Sequence, residues 1–544
     1  MAGRMKRGSG KGTNAGSSGD DVWGDPSDPR DRRHAEIVMT AMQALKRGDV
    51  EGANAGFRLV LNENIEHPDA LHGMGLLAQG MGRFETAAEL VRRAIAIRPN
   101  GAGYWSNLGN IYQNMEQWED AVAAHKEAVK HNPRHSGVRQ NLGSVLNLVN
   151  QPFAAMPHFR EAMKLDPTSI DATASYAITL ARIGDYGPSN RFFRQALELN
   201  RADPVANFSY GANLLWQGRW AEGWPLYEWR LFMPSMAGQM PRFSIASTLP
   251  EDLTSKRVLL LGEQGIGDEI RHATMIAEVI ARGADVTLQC AVKLVPLFAR
   301  SFPGVQVIPK PVGGLPEDVS SYDLVSTTTG LGKYLRTDAA RFPEVTDLLK
   351  PDPLQVAAFR ERLAALGPGL KVGLCWRSRM TAISRTLRGE YQIGITDLEP
   401  LLRLNGVTFI NLQYDECSDE LAEIKDRFGV TVHAFDDVDL FDDLDSSAAL
   451  TRACDIIVSA NTSVATIAGG VGVPTIEFHG RSVPEGFPIN GHDPWFASVR
   501  PVGKRMADKW SRTMRTIAAS VRDAANGASL DVGDKHGDVS GTAS

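Results

Sequence analysis

The chain of 544 residues has few cysteines, no long apolar run and no excess of positive charge. Its four cysteines are scattered without the spacing of a metal-binding motif, so we expect buried free thiols in a reducing cytoplasm, and no metal site. Because no run of about 18 or more apolar residues occurs, the sequence predicts no membrane insertion. The formal net charge of -6 provides no bulk attraction to nucleic acid.

Both ends of the chain have the composition of disordered tails. Residues 1–33 and 526–544 are rich in Gly, Ser and Asp and contain few apolar side chains. The first segment also lacks the apolar stretch of a secretory signal. We therefore predict a folded part that spans residues 34–525.

Residues 34–235 repeat with a period of 34, in frames that start at 34, 68, 102, 136, 170 and 204. Position 8 of each frame is small: Ala41, Gly75, Gly109, Gly143, Ala177 and Gly211. Small residues also recur at positions 20 and 27, and three frames have proline at position 32, namely Pro99, Pro133 and Pro167. Small residues let helices cross closely, and proline ends a helix because it lacks an N–H. The pattern predicts pairs of antiparallel helices.

The repeat resembles the tetratricopeptide repeat. The third frame carries the match, with Trp105, Leu108, Gly109, Tyr112, Ala121, Ala128 and Pro133. The resemblance implies an α-helical solenoid whose concave groove holds a protein or peptide partner. The sixth frame is instead crowded with aromatic residues: Trp216, Trp220, Trp224 and Trp229. We expect these tryptophans to seal the repeats against the following domain, and peptide binding is the alternative.

The second half of the chain alternates short apolar runs with helical segments. The predicted strands are Arg257–Gly262, Asp285–Cys290, Val305–Ile308, Tyr322–Val325, Lys371–Trp376, Val407–Leu412, Val430–Val432, Asp455–Val458 and Pro474–Phe478. This alternation predicts two α/β domains with doubly wound, Rossmann-like sheets, at 236–350 and 351–525, and a cleft between them. Ligands of such sheets bind beyond the carboxyl ends of the strands, so the loops at those ends are the candidate sites.

A Gly-rich turn follows the first predicted strand. Gly265 and Gly267 permit a tight turn and the close approach of a ligand to the backbone. Asp268 stands at the start of the next helix, where it fits two roles, a helix N-cap and a functional carboxylate. A dinucleotide-binding fingerprint is incomplete, because its third glycine would stand at position 270, which is Ile.

Two further loops carry groups suited to phosphate. The strand Lys371–Trp376 is followed by Arg377, Ser378, Arg379, Arg385 and Arg388. Arginine forks pair with phosphate oxygens, although a solvated basic loop is the alternative. The strand Asp455–Val458 is followed by Asn461, Thr462 and Ser463. These three begin a helix of small residues whose free N–H groups suit a phosphate, although helix capping alone is the alternative.

A fourth segment, 436–445, contains six aspartates: Asp436, Asp437, Asp439, Asp442, Asp443 and Asp445. It lacks the glycine that an EF-hand loop requires. We expect a solvated acidic loop, and cation binding is the alternative.

Taken together, these motifs make the chain similar to bacterial proteins that fuse tetratricopeptide repeats to a GT-B glycosyltransferase domain of the heptosyltransferase-like type (glycosyltransferase family 9). The motifs are Gly-Trp-x-x-Tyr-Glu-Trp-Arg ending at Arg230, the Gly-rich loop ending at Asp268, Cys-Trp-Arg-Ser from Cys375, and Asn461-Thr-Ser-Val-Ala. The resemblance implies a nucleotide-sugar donor on the C-terminal sheet, an acceptor facing the N-terminal sheet, no cofactor and no metal. It implies Asp268 as the catalytic base. The donor-binding residues would be Arg377, Ser378, Arg379, Arg385, Asn461, Thr462 and Ser463.

Two hypotheses about function follow. The first is a cytoplasmic glycosyltransferase whose repeats select a protein or glycan acceptor, with flagellin or another surface protein as a special case. The second is a protein-binding scaffold that has lost catalysis and keeps a residual nucleotide-sugar cleft. It is motivated by the third motif, which in the family usually has Asp and His where this chain has Asn461 and Thr466.

Overall fold

The computed structural model describes residues 27–233, 246–311, 319–378 and 393–528. Most of the two predicted tails, and Arg379, Arg385 and Arg388 of the basic loop, lie outside the described residues. The chain divides into two compact units. The first contains the residues up to Leu180 together with Gly187–Ala202, and the second contains Ala181–Tyr186 and everything from Asp203 onward.

The first unit is built from paired helices. In chain order these are α1 (Pro29–Lys46), α2 (Val50–Glu63), α3 (Pro68–Gly80), α4 (Phe84–Ile97), α5 (Ala102–Asn114), α6 (Trp118–His131), α7 (Ser136–Leu148), α8 (Pro152–Leu165), α9 (Ile170–Ile183) and α10 (Tyr186–Leu199). Each odd-numbered helix from α1 to α7 packs along the helix that follows it. Helix α1 begins inside the predicted tail, because Asp28 caps it by accepting a hydrogen bond from the N–H of Arg30. The N-terminal part is therefore a helical repeat solenoid, as the period predicts.

The small residue at position 8 makes room for a ring at position 24. A Cβ added to Gly109 would lie 2.6 Å from Nε2 of His125, and a Cβ added to Gly143 would lie 2.8 Å from the ring of Phe159. Each proline at position 32 follows the end of the second helix of its frame, as predicted. The repeat pattern in the sequence thus marks where helices approach and where they end.

The second unit opens with the sixth frame and continues into a four-stranded sheet. The sixth frame forms α11 (Pro204–Trp216), α12 (Trp220–Tyr227) and a 3-10 helix over Glu228–Phe232. The strands are β1 (Arg257–Leu261), β2 (Asp285–Cys290), β3 (Gln306–Pro309) and β4 (Leu324–Thr327), all parallel, in the order β3-β2-β1-β4. The helices around this sheet are α13 (Ile266–Ala273), α14 (Ile276–Ala281), α15 (Val295–Ser301) and α16 (Gly332–Leu335).

The second sheet has six parallel strands in the order β10-β9-β8-β5-β6-β7. They are β5 (Leu370–Cys375), β6 (Val407–Asn411), β7 (Val432–His433), β8 (Ile456–Ala460), β9 (Thr475–His479) and β10 (Val499–Gly503). Its helices are α17 (Pro353–Ala365), α18 (Glu399–Leu402), α19 (Ser418–Phe428), α20 (Leu444–Ala453), α21 (Ser463–Gly470) and α22 (Trp510–Ala525). Further 3-10 helices lie at Val292–Leu294, Thr329–Leu331, Ala339–Arg341 and Ile395–Leu398.

One apolar cluster joins the two sheets of the second unit. It contains Val258 and Leu260 of β1, Ile457 of β8, and Trp220 and Trp224 of α12, all of them buried. Parallel strands that alternate with helices around such a core are of the α/β class, as the strand pattern predicts.

The cysteines and the helix lengths answer two of the expectations from composition. All four cysteines are buried free thiols, as predicted. None of the helices within the described ranges has both the length and the apolar character needed to cross a bilayer.

Candidate functional site

The three predicted loops lie where the strand order of the two sheets reverses. In the first sheet, β1 lies between β2 and β4, so the loop after β1 stands at a switch point. In the second sheet, β5 lies between β6 and β8, so the loops after β5 and β8 flank another. Doubly wound sheets bind ligands in the crevices at such points. The topology therefore brings each loop to an edge that is suited to a ligand.

The Gly-rich turn after β1 holds Asp268 in the first turn of α13. Gln264 has a left-handed backbone with a φ of 64°, and Gly265 is the N-cap. The predicted N-cap role of Asp268 is therefore wrong: Asp268 is the third helical residue, and its carboxylate accepts from the N–H of the N-cap Gly265 over 3.3 Å. Burial raises the pKa of the Asp268 carboxyl, and the charge of nearby Arg271 opposes that rise. A partly buried carboxylate with a raised pKa is suited to accept a proton, so the functional role fits its position.

Helices α13 and α21 approach each other closely. A Cβ added to Gly267 would lie 3.2 Å from Oγ1 of Thr466 and 3.8 Å from the Cα of Ser463. A Cβ added to Gly470 would lie 3.5 Å from Cγ2 of Ile270. Any side chain at position 267 would clash with α21, so glycine at this position permits the close approach of the two helices. The first and third loops, almost 200 residues apart in the sequence, therefore converge at this contact.

Asn461, Thr462 and Ser463 connect β8 to α21. Thr462 is buried and accepts a hydrogen bond from the N–H of Val464 over 3.2 Å, so helix capping accounts for it. The N–H of Asn461 donates to the carbonyl of Phe478 over 3.2 Å, which fixes the backbone at that point. Asn461 and Ser463 are partly exposed. These two side chains are therefore the ones of this loop best suited to contact a ligand.

Arg377 is surrounded by carboxylates. It is only 7% exposed, and its guanidinium donates to Glu420 over 2.6 Å and 3.1 Å. The guanidinium forms a second ion pair with Asp415 and donates to the carbonyl of Glu416 over 2.9 Å. Its donors are thus engaged by the protein itself. Ser378 is partly exposed.

The partners of Arg377 come from the segment after β6, which sequence reasoning missed. Gln413 donates from Nε2 to the carbonyl of Arg377 over 2.9 Å. Its Oε1 accepts from the N–H groups of Trp376 and Arg377, each over 3.2 Å. Because β6 is the neighbour of β5, this segment reaches the same edge of the sheet. The signal was a polar Gln413-x-Asp415 directly after an apolar strand.

The end of the sixth frame reaches the loops of the first sheet through Arg230. Its guanidinium is 4% exposed and forms a two-pronged ion pair with Glu263 of the Gly-rich turn, with one prong of 3.0 Å. It also donates to Glu228 over 2.5 Å and to Oγ1 of Thr327 over 3.1 Å. Lys333 donates to the other oxygen of Glu228 over 3.1 Å. The sequence singled out Arg230 only as the end of a motif and did not indicate its partners.

The tryptophans of the sixth frame pack against the α/β part. Trp216, Trp220 and Trp224 are buried. The ring of Trp216 lies 4.3 Å from that of Phe487, centroid to centroid, and Nε1–H of Trp224 donates to the carbonyl of Arg336 over 2.8 Å. The expectation that these aromatics seal the sixth frame against the following domain is confirmed for these three residues.

A buried ionic cluster joins α13 to β9. Arg271 donates to Glu477 over 3.0 Å, and the other oxygen of Glu477 lies 3.2 Å from Nε2 of His479. Burial raises the pKa of nearby Asp493 to about 6, against the opposing charge of Arg271. The cluster ties the helix that carries Asp268 to the second sheet.

Half of the aspartates in the acidic stretch at 436–445 form ion pairs. Three of its carboxylates form ion pairs, namely Asp437 with Arg362, Asp442 with Lys293, and Asp445 with Arg300. Five of the six residues are exposed and only Asp445 is partly buried, so the expectation of a solvated acidic loop is confirmed. Within the parts of the chain that the structure covers, no group of three or more His, Cys, Asp or Glu side chains is arranged to hold a metal ion.

The sequence of the third frame matches a known family, and two curated proteins are similar to longer parts of the chain. The family model for the tetratricopeptide repeat matches residues 102–135. Protein FlbA of Caulobacter vibrioides is 34% identical over 335 residues, which cover 59% of this chain and 55% of that protein. Cellulose synthase operon protein C of Komagataeibacter xylinus is 40% identical over 63 residues, 12% of this chain and 5% of that protein. The chain thus spans about half the length of the first relative and a small part of the second.

Solved structures of repeat proteins also resemble part of the chain. PilF of Pseudomonas aeruginosa gives a TM-score of 0.33 at 20% identity and covers 39% of this chain and 90% of that one. A thermophilic TPR protein of Thermus thermophilus gives 0.30 at 21% identity, with 34% and 99% covered. YrrB, described as a TPR protein with an unusual peptide-binding site, gives 0.28 at 19% identity, with 32% and 91% covered. Likeness at these TM-scores carries no weight for fold or function.

The family match and the helix pairs of the first unit agree with each other. This chain carries tetratricopeptide repeats on its N-terminal side, and an α/β part with two parallel sheets follows them.

Proposed function

We propose that this chain is a GT-B glycosyltransferase that moves a sugar from a nucleotide-sugar donor to a protein or glycan acceptor. The observation that carries the proposal is the convergence of two loops from different sheets, where Gly267 abuts Ser463 and Thr466. Asp268 stands next to that contact, with a pKa raised by burial. A carboxylate from one sheet beside a helix N-terminus from the other is the arrangement that transfer from a diphosphate leaving group needs.

The donor is assigned to the edge of the second sheet. The diphosphate would lie at the start of α21, where backbone N–H groups and the positive end of the helix favour negative charge. Asn461 and Ser463 would donate to its oxygens, and Ser378 with Arg379 and Arg385 stay predicted contributors from the loop after β5. Arg377 would reach a phosphate only by releasing Asp415 or Glu420, so we assign it the orientation of that loop.

The acceptor is assigned to the edge of the first sheet. Asp268 would take the proton from the acceptor hydroxyl as the oxygen bonds to the anomeric carbon and the bond to the diphosphate breaks. Its raised pKa brings it closer to neutral pH, where a general base is most effective. The reaction would need no metal, because the helix end and the loop donors stabilise the leaving diphosphate. The repeats would select a cytoplasmic protein acceptor, with flagellin or another surface protein as a special case.

A second function, a binding scaffold without catalysis, is favoured by one observation. Thr466, which stands where the resembling family usually has His, is 3% exposed and lies against Gly267. The same closeness of α13 and α21 would suit a structural contact.

Calorimetric titration of the full chain with UDP, GDP, CMP, ADP and dTDP sugars separates the two functions. The transferase requires that one donor binds at millimolar concentration or below, and that replacing both Asn461 and Ser463 by alanine weakens binding about tenfold, the equivalent of ~1.4 kcal/mol. Thr40→Ala, on an exposed face of α1, is the control and should bind as the wild type does. No binding of any donor would favour the scaffold.

Transfer itself is tested through Asp268. With the bound donor and an acceptor protein, Asp268→Asn should lower turnover by about 10²–10⁴-fold, which is the usual contribution of a general base. The variant should leave donor affinity within about twofold, because the carboxylate is assigned to the acceptor side. Unchanged turnover would refute the base assignment.

A further inference from the structure

The contact between the sixth frame and the Gly-rich turn is built from charged and polar groups. Arg230 is only 4% exposed, and two of its guanidinium nitrogens donate to the carboxylate of Glu263, with Nε at 3.0 Å. One residue further along the turn, the hydroxyl of Tyr227 donates to Oε1 of Gln264 over 3.1 Å. Two consecutive residues of the turn are therefore held by side chains that the sixth frame supplies.

The turn has a conformation that needs such support. Gln264 has a φ of 64°, in a region that side chains other than glycine occupy at a penalty. The turn ends at Gly265, whose N–H donates to Asp268 over 3.3 Å. The conformation at Gln264 therefore determines where the Gly265 N–H points, and with it the position of the Asp268 carboxylate.

The ion pair between Arg230 and Glu263 is not needed to hold the sixth frame against the sheet. Trp220 and Trp224 already belong to the apolar cluster of the first sheet, and Trp224 donates to the carbonyl of Arg336 over 2.8 Å. A buried ion pair pays for desolvation and is often replaceable by apolar residues without loss of stability. What the guanidinium fork adds is a defined direction, since it fixes the carboxylate of Glu263 at two points.

We propose that Arg230 and Tyr227 are positioning residues, which hold Glu263 and Gln264 so that Asp268 stands ready at the acceptor side. The role of Asp268 rests on the proposed transferase function. The sixth frame is then part of the reaction site as well as of the repeat array. Neither residue is assigned a contact with substrate.

The test uses three variants of the full chain. Arg230→Lys keeps the charge and removes the fork, Tyr227→Phe removes one hydroxyl, and Arg219→Lys is the matched control. Arg219 is the N-cap residue before α12 and forms a similar two-pronged pair with Glu222, but that pair is exposed. Hydrogen–deuterium exchange of the peptide over 259–268 reports on the turn. The peptide over 510–525, which is α22 and packs in a separate apolar cluster, reports on the rest of the unit.

We expect Arg230→Lys and Tyr227→Phe to raise exchange at 262–265 by about tenfold, the equivalent of ~1.4 kcal/mol of local opening, with no change at 510–525. Where transfer is measurable, both should lower kcat about tenfold and leave the donor KM within about twofold, because only the acceptor side is disturbed. Arg219→Lys should change neither quantity. If Arg230→Lys fails to fold, the exchange and kcat of Tyr227→Phe alone test the proposal.

Two results would overturn the proposal. One is a Tyr227→Phe protein whose exchange at 262–265 equals that of the wild type, because the turn would then keep its conformation without the tyrosine hydroxyl. The other is faster exchange that is equal in both peptides, which is general destabilisation and no specific positioning. Failure of the transferase function is a separate outcome, seen when the wild type binds no donor, and the exchange measurement still decides whether the sixth frame holds the turn.

Discussion

Replacing Thr466 by histidine, the residue usual at this position in the resembling family, should destabilise the protein. Thr466 is 3% exposed, and its Oγ1 lies 3.2 Å from where a Cβ on Gly267 would stand. The hydroxyl also donates back to the carbonyl of Thr462 over 3.3 Å. The histidine side chain has about twice as many heavy atoms as the threonine side chain, and α13 occupies the space that it would need.

The size of the effect follows from two terms. Overpacking a buried site costs about 1–3 kcal/mol, and burying an imidazole nitrogen without a partner costs about 1–3 kcal/mol more. In a unit of this size ~1 kcal/mol lowers Tm by roughly 1–2 °C, so the total of about 2–6 kcal/mol should lower it by roughly 2–12 °C in Thr466→His.

Thermal unfolding followed by circular dichroism at pH 8, where a histidine is neutral, measures this shift. Asn461→Asp is the companion variant, because Asn461 is partly exposed and a carboxylate near a helix N-terminus is tolerated. It should stay within about 0.5 kcal/mol of the wild type. A Thr466→His protein that unfolds within about 1 °C of the wild type would mean that α13 and α21 leave more room than their glycine contact indicates.

Two further predictions concern buried charge. Burial lowers the pKa of His272 to about 3, whereas a histidine in the unfolded chain binds its proton near pH 6.5. The contribution of His272 to the free energy of unfolding is therefore fully present above pH 6.5 and is lost as pH falls, by roughly 2 kcal/mol at pH 5. Urea unfolding at pH 7.5 and pH 5 measures the total loss, which should be roughly 2 kcal/mol smaller in His272→Gln because other buried histidines still contribute, and equal losses in both proteins would contradict it. Arg377→Met should lower the free energy of unfolding by about 3 kcal/mol because Asp415 and Glu420 lose their shared partner, and adding Glu420→Gln should recover part of it. A single variant as stable as the wild type in urea would show that the carboxylates do not depend on the guanidinium.

Local patterns predicted most of the regular elements, because apolar runs and small residues report on burial directly. Asp285–Cys290 has the predicted bounds, since a buried parallel strand is apolar throughout. Strand β10 (Val499–Gly503) was missed, because it lies at the sheet edge, is only partly buried and contains Pro501. Patterns of this kind carry no signal for an edge strand with mixed residues.

Sequence reasoning placed the described candidate residues after the strands that they follow, but it did not predict their partners. Arg377 was expected to be available to phosphate, and its carboxylate partners stand about 40 residues further along the chain, after β6. Only the pairing of β5 with β6 brings them together. The link from Arg230 to Glu263 likewise depends on a tertiary contact across 33 residues. Long-range pairing of charges follows from topology, which a single sequence indicates only in outline.

The apolar cluster shared by the two sheets limits how far they can swing apart. Swinging the sheets apart as rigid bodies would expose Ile270, Val464 and Ile467, which are buried in that cluster. At about 1.5–3 kcal/mol for each side chain, the opening would require roughly 5–9 kcal/mol, so fewer than about one molecule in a thousand would be open at any moment. A hinge motion of that kind is too rare to be the ordinary route by which the proposed substrates enter and leave. In the proposed transferase, entry and release of substrate would therefore depend on displacement of the loops at the sheet edges, and the rate of that displacement would set the upper limit on turnover.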